Sequence, residues 1–325
     1  MTLLIAISNR SFAAILGDRR IVAGRKVVDD ETNKVCVLFC DDARMVVGYA
    51  GFAGVNRFKT QDWLRDSLGS ISEKKCSLNE ILEEFTKRAT ATFRKLSKQI
   101  ATVFLFSGFH FLPQPTNCAF EVTNWNRQSY SFFPGRQFRL LELGNPGQVT
   151  VEAAGYLAAL SKQHKDSLAK MLQHGNPEPE VLRKAVSVIR QIARDPKSKG
   201  YVGIQCNSGV VPCTPDTWVT GTYHSARANL NAYGPDIVIG VSDGKLLVTG
   251  MKLSAGLILS GPTIRKSEPC WCGSGKRFGK CHLKKFGSVY TQLAGFKKPM
   301  MMVCLLKTKT RHLTGASFGV CSSFT

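Results

Sequence analysis

The chain has 325 residues, 43% of them hydrophobic and 21% charged, and 44 Lys and Arg against 23 Asp and Glu leave a net charge of +21. That balance reads as soluble and globular, with a core large enough for one large domain or two. No apolar run reaches membrane-span length, and no charged leader with an uninterrupted apolar segment opens the chain, so neither a membrane span nor a secretory signal is expected.

The charge is uneven. From Gly261 to Thr325 there are 12 Lys or Arg against one acid, Glu268, so this tail supplies +11 and the first 260 residues supply +10. Such a surface attracts acidic partners: an acidic protein, the ribosome or RNA, or anionic lipid. No nucleic-acid-binding module accompanies the charge, and a basic protein without such a role is the plainer reading. The 11 Cys are an odd, scattered set. They suit a reducing, cytoplasmic compartment with free thiols and a metal site rather than disulfides. Cys36, Cys40, Cys118 and Cys206 lie in apolar runs and are expected as buried core thiols.

In chain order, "TLLIAI" and "FAAIL" are short strands around a polar turn at Asn9-Arg10-Ser11, and "KVCVLFC" and "RMVVGYAG" are a second pair linked by Asp41-Asp42. Gly48, Gly51 and Gly54 then crowd one segment, which lets backbone approach another group closely. A helix is expected around Thr60 to Leu68. A longer one follows the capping box of Ser77 and Glu80, with Leu78, Ile81, Leu82, Phe85, Ala89, Phe93 and Leu96 at helical spacing. Strands return at "ATVFLFSG" and "CAFEVTNW". A helix pair is expected from about Val151 to His174 and from Glu178 to Arg194, separated by Gly175 and Pro177. "YVGIQC", "DIVIGVSDGKLLVTG" and "AGLILSG" close the main domain as strands, with a hairpin turn at Ser242-Asp243-Gly244. Strands, two helices, strands, two helices, strands is a layered α+β order, not the alternation of a doubly wound sheet. Residues 287–325 read as a basic, weakly structured tail.

Thr2, Asp18 and Lys34 stand 16 and 32 positions apart, with Arg20 behind the Asp and Ala50-Gly51 downstream; far along the chain "RDPKSKGYVG" holds Asp195 and Ser198. This set resembles the proteasome β-subunit family of N-terminal nucleophile (Ntn) hydrolases, especially the bacterial HslV-type two-ring peptidases. The resemblance covers roughly residues 2–260 and implies a four-layer αββα sandwich, threonine peptidase or other amide hydrolase activity on a protein or peptide substrate, and a homo-oligomeric ring. Each residue alone has an ordinary reading: surface Thr, turn Asp, solvated Lys, bulge Gly. Their joint register carries the resemblance. The chemistry is coherent. If Met1 is removed, Thr2 carries its own base in its α-amine. Lys34 would lower that amine's pKa, Asp18 would keep Lys34 charged and oriented, and the Gly51 N–H would donate to the oxyanion. Asp195 and Ser198 would orient the amine. Two departures stand out: Lys199 takes the place of the family's first Gly after that Ser, and Ala154 in "EAAGYLAAL" takes the place of a family Ser at the start of the third helix. Tyr49 falls where the family floors its specificity pocket.

"PCWCGSGKRFGKCH" is the sharpest motif. Cys270, Cys272, Cys281 and His282 offer three thiolates and an imidazole, the donor set of a closed tetrahedral structural Zn2+ site. Its Gly-Ser-Gly-Lys lacks the full phosphate-loop spacing. Residues 266–286 resemble the SEC-C motif of the SecA preprotein translocase, with Trp271 in place of the usual Pro. The resemblance implies a zinc-binding docking module. Its basic flank, Lys276, Arg277, Lys280, Lys284 and Lys285, suits an acidic protein surface or RNA phosphates. The alternative to a hydrolase is a non-catalytic proteasome-like scaffold or adaptor that binds through this module.

Overall fold

The computed structural model describes residues 2–24, 26–30, 32–55, 58–74, 77–96, 101–125, 135–155, 160–215, 219–224, 239–242, 245–248 and 250–253, with Arg277 and Lys280 beyond them. "AGLILSG", the four residues of the expected zinc site and the basic tail lie outside the described residues.

The first two strands, β1 (Leu3–Ser8) and β2 (Phe12–Asp18), are buried along their whole length. Side chains alternate across a strand, so a strand buried on both faces must be apolar at every position rather than at every second one. In β1, Leu3, Ile5 and Ile7 enter one core while Leu4 and Ala6 enter another. Asn9 sets the turn between the strands, its Oδ1 accepting from the Ser11 and Phe12 amides at 2.9 and 3.0 Å.

A small ribbon, β3 (Ile21–Ala23) and β4 (Lys26–Asp29), leads to β5 (Val35–Phe39) and β6 (Ala43–Gly51). A second ribbon, β7 (Gly54–Val55) and β8 (Phe58–Lys59), precedes α1 (Thr60–Ser72) and α2 (Leu78–Phe93). Helix α2 starts as its capping box requires: Ser77 accepts from the Glu80 amide. Its buried face is Leu78, Ile81, Leu82, Phe85, Ala89 and Phe93. Then come β9 (Thr102–His110), β10 (Thr116–Thr123), β11 (Arg139–Glu142), β12 (Thr150–Gly155), α3 (Lys162–Gln173) and α4 (Glu178–Arg194). The chain continues through β13 (Cys206–Pro212), β14 (Thr220–His224), β15 (Ile239–Ser242), β16 (Lys245–Val248) and β17 (Gly250–Leu253).

One sheet has the order β12-β1-β2-β13-β14-β17 and the other β11-β10-β9-β6-β5-β15-β16. Pairings are antiparallel except β14 with β17 and β5 with β15. Three cores stack in series. Helices α1 and α2 cover the second sheet through Met45, Val47, Phe85 and Phe104. Leu4, Ile15, Val46 and Leu105 pack the sheets face to face. Helices α3 and α4 cover the first sheet through Ile5, Leu16, Leu168 and Ile189. This is an α+β sandwich of two antiparallel-rich sheets between two helical layers.

Two sequence expectations are corrected. Val151 to Gly155 is strand, not helix, because it pairs with β1 from Ser8↔Thr150 to Leu3↔Gly155, and α3 begins only at Lys162. "YVGIQC" is not a strand: the chain pairs with β2 only from Cys206, and the preceding Gly203 amide is used by Asp18. Ser242 and Lys245 pair as the expected hairpin ends. No helix of the described residues is long and apolar enough to cross a membrane.

Cys36, Cys118 and Cys206 are buried, with burial the leading cause that pushes each thiol up to about 12, while Cys40 is half-buried. Such thiols are poor nucleophiles, consistent with a core role. His224 is also buried, with its Nε2 2.9 Å from Ser208 Oγ. Burial, reinforced by the charge of Arg190, pushes its pKa down to about 3. An unfolded His titrates near 6.5, so folding stability is full above that pH and declines as pH falls toward 3. Between pH 7 and pH 5, His224→Gln is expected to lose about 2 kcal/mol less than the parent, read by urea unfolding at both pH values.

Candidate active site

The antiparallel register of β1 and β2 places Leu4 opposite Gly17, which brings the start of β1 to the end of β2. Lys34 enters from the residue before β5, Gly51 ends β6, and Gly155 ends β12 opposite Leu3. The site thus gathers strand ends from both sheets at one edge of the sandwich.

Lys34 Nζ donates to Thr2 Oγ1 at 2.7 Å and to the Arg20 carbonyl at 2.5 Å, and it pairs with Asp18 Oδ2 at 3.5 Å. Thr2, Asp18 and Lys34 are 5%, 0% and 1% exposed. Asp18 is fixed from several sides. Its Oδ1 accepts from the Leu3 amide at 2.7 Å, and its Oδ2 accepts from the amides of Arg20 and Gly203 at 3.0 and 3.1 Å. A carboxylate taking several N–H bonds and facing an ammonium is held in one orientation. Burial lowers the Lys34 pKa from the ordinary lysine value, against the attraction of Asp18 and with a smaller contribution from Arg19. The resulting geometry is a buried amine aimed at the Thr2 hydroxyl oxygen.

Arg20 braces the assembly. Its guanidinium makes a forked pair with Asp30 at 2.6 and 3.2 Å and donates to the Gly200 carbonyl at 3.1 Å. That last bond ties the turn carrying Asp195 and Ser198 to the site. Asp195 Oδ1 caps this turn by accepting from the Lys197 amide at 2.8 Å. Ser198 Oγ donates to the Ala193 carbonyl and accepts from the Gly200 amide, both at 3.4 Å. Their hydrogen bonds close on their own turn and on the end of α4, and among the described residues none joins them to Thr2.

Lys199 caps that turn at φ 50°, and among the described residues no other non-glycine has positive φ. A side chain in this region costs about 1–2 kcal/mol, partly offset by the greater unfolded freedom of glycine. Lys199→Gly is therefore expected to raise stability by about 0.5–1 kcal/mol, measured as a higher urea midpoint at unchanged slope.

Gly51 lies at φ 100°, where an added Cβ would sit 2.0 Å from the Ala101 carbonyl oxygen. Gly155 lies at φ 93°, where a Cβ would sit 1.8 Å from the Thr2 carbonyl oxygen. Neighbouring Ala154 pairs with Leu4 inside β12, so it lies on a strand and not at the helix start expected for it. Tyr49 is 1% exposed and packs into the core beneath α1 and α2. Sequence reasoning missed the Arg20 carbonyl, the Gly203 amide and the role of Gly155. A glycine closing an apolar strand was the one available signal, and only for Gly155.

No curated protein matches the chain. Among solved structures the chain is similar to Anbu (ancestral beta-subunit) from Yersinia bercovieri, at 15% identity and a TM-score of 0.41 over 65% of this chain and 81% of that one. At the other end, residues 267–284 match the family model described as SEC-C motif, and this match encloses Cys270, Cys272, Cys281 and His282.

Proposed function

We propose that this protein is a proteasome-subunit-like Ntn amide hydrolase, a threonine peptidase whose nucleophile is Thr2, with a SEC-C module for docking. The contact that carries this reading is the 2.7 Å bond from the buried Lys34 ammonium to Thr2 Oγ1, backed by Asp18. Removal of Met1 frees the Thr2 α-amine. Oγ1 attacks the amide carbonyl while the amine takes its proton, and the Gly51 N–H and Lys34 offset the developing negative charge. The amine then protonates the leaving nitrogen. Water, deprotonated by the same amine, releases the acyl group from Oγ1 and regenerates the hydroxyl. Asp195 and Ser198 orient the amine once the new N-terminus forms.

In this reading residues 2–260 form the hydrolase, and copies of it assemble into a ring. Residues 266–286 form the module. Cys270, Cys272, Cys281 and His282 are a chemically complete donor set for structural Zn2+, which supplies folding stability to a short, glycine-rich segment. The basic flank and residues 287–325 then meet an acidic protein, the ribosome or RNA, in the cytoplasm. A scaffold without catalysis is the second reading. It is favoured by Ala154 in place of the family Ser and by the turn bonds of Asp195 and Ser198, which leave Thr2 untouched.

Intact mass before and after a peptide epoxyketone decides between them. Loss of Met1 and a single adduct, absent in Thr2→Ala, is the expected result. A retained Met1, or a processed chain that takes no adduct while Thr2→Ala retains partner binding, sinks the hydrolase reading.

A further inference from the structure

Away from the strand-end site, α4 presents a second feature. Its inner face is Val181, Leu182, Ala185, Val188, Ile189 and Ile192. Its outer stripe carries Arg183, Arg190 and Arg194, spaced about two turns and then one turn apart along one side of the helix. These three line a groove of about 650 Å³, together with Val186, Ser187 and Gln191, and His224 closes one wall. The volume lies in the range of ligand-binding clefts. No acidic residue is among the described lining residues, so three guanidiniums face one concavity.

Arg190 is fixed in place. Its Nε donates to the Ile204 carbonyl at 3.2 Å and its Nη2 to the His224 carbonyl at 3.0 Å. His224 is in turn held by Ser208 and is neutral at physiological pH, so it adds shape and a polar edge rather than charge. An arginine anchored this way loses little rotamer freedom on meeting an anion. Arg183 and Arg194 are exposed and flank it.

We propose that this groove docks an acidic peptide segment of a partner protein. Guanidiniums pair carboxylates through two parallel N–H bonds, and Ser187 and Gln191 offer hydrogen bonds to a peptide backbone. Val186 supplies an apolar floor, buried and yet facing the groove. A single-stranded nucleic acid would want aromatic platforms for its bases, and the described lining has no Phe, Tyr or Trp, while the His224 ring is held by Ser208. The groove shares no residue with the Thr2 site or with residues 267–284, and it functions whether or not Thr2 is a nucleophile.

The test is fluorescence anisotropy of a fluorescein-labelled Glu-rich peptide on the full chain at near-physiological salt. The double variant Arg183→Gln/Arg194→Gln is expected to weaken binding by about tenfold or more, and Lys184→Gln, on the same helix but outside the groove, by less than about twofold. Both substitutions are at exposed positions, and an unchanged urea midpoint verifies that the fold survives. Equal weakening by the two variants would show diffuse charge attraction and overturn the proposal. So would absence of peptide binding, or displacement of the peptide by oligouridylate at lower concentration than by unlabelled peptide.

Discussion

Asp18→Ala is expected to destabilise the protein by about 3–5 kcal/mol, and adding Lys34→Met is expected to recover a large part of that loss. The carboxylate is fully buried and satisfies the amides of Leu3, Arg20 and Gly203 as well as the Lys34 ammonium. Its removal strands three N–H groups and leaves a buried cation with only the Thr2 hydroxyl and the Arg20 carbonyl. Of these two losses the uncompensated charge is the larger, since an unpaired buried ion costs more than an unmade neutral hydrogen bond. Met keeps the length of the lysine stem without the charge, so the double variant removes the ion and retains the packing. A double-mutant cycle by urea unfolding should give a coupling energy of about 1–3 kcal/mol. Additive losses would show that Asp18 acts through the amides alone. Thr2 labelling by the epoxyketone should fall in both single variants and stay low in the double, because stability returns without the ammonium.

This split between stability and chemistry also shows what the sequence could reveal. Thr2, Asp18 and Lys34 were legible only through the resemblance of their spacing to a known family, and in the structure the antiparallel register of β1 and β2 brings them together. Helix α2 was legible from a cap and a periodic apolar face, both local. The β12 error has a physical cause: "VEAAGYLAAL" is rich in apolar residues that satisfy helical spacing, and a short edge strand carries too little alternation to separate it from a helix. What decides it is pairing with β1, more than a hundred residues away in sequence. The pairing of Ser208 with His224 and the anchoring of Arg190 by two carbonyls are equally non-local, and no motif announces them. The Lys199 backbone, by contrast, follows from a cap position that the sequence marks only through the glycine it lacks. The cysteine-rich motif is the reverse case: its candidate donors are legible by spacing alone, and they lie outside the described residues.

Gly155→Ala should be the costliest glycine substitution in this region, at about 3 kcal/mol or more. Two effects add. The residue lies at φ 93°, a region L side chains rarely adopt, and the new Cβ would sit 1.8 Å from the Thr2 carbonyl oxygen and 3.1 Å from Ala50 Cβ. Backbone cannot yield by changing a rotamer, so the end of β12 must separate from the start of β1. Gly175, just beyond α3, isolates the first effect: its φ is 67° and nothing lies within 4 Å of its added Cβ. Gly175→Ala should therefore cost only the conformational part, about 1 kcal/mol. The difference between the two variants, read from urea unfolding, measures how tightly β12 clamps the residue that carries the candidate nucleophile. Equal costs would mean that β12 gives way freely. Then the position of Thr2 Oγ1 would depend on Lys34 and Asp18 alone, and its rate of labelling should survive Gly155→Ala. If the clamp is as tight as the 1.8 Å contact implies, labelling should instead fall with stability, because moving the Thr2 carbonyl also moves Oγ1 away from the Lys34 ammonium.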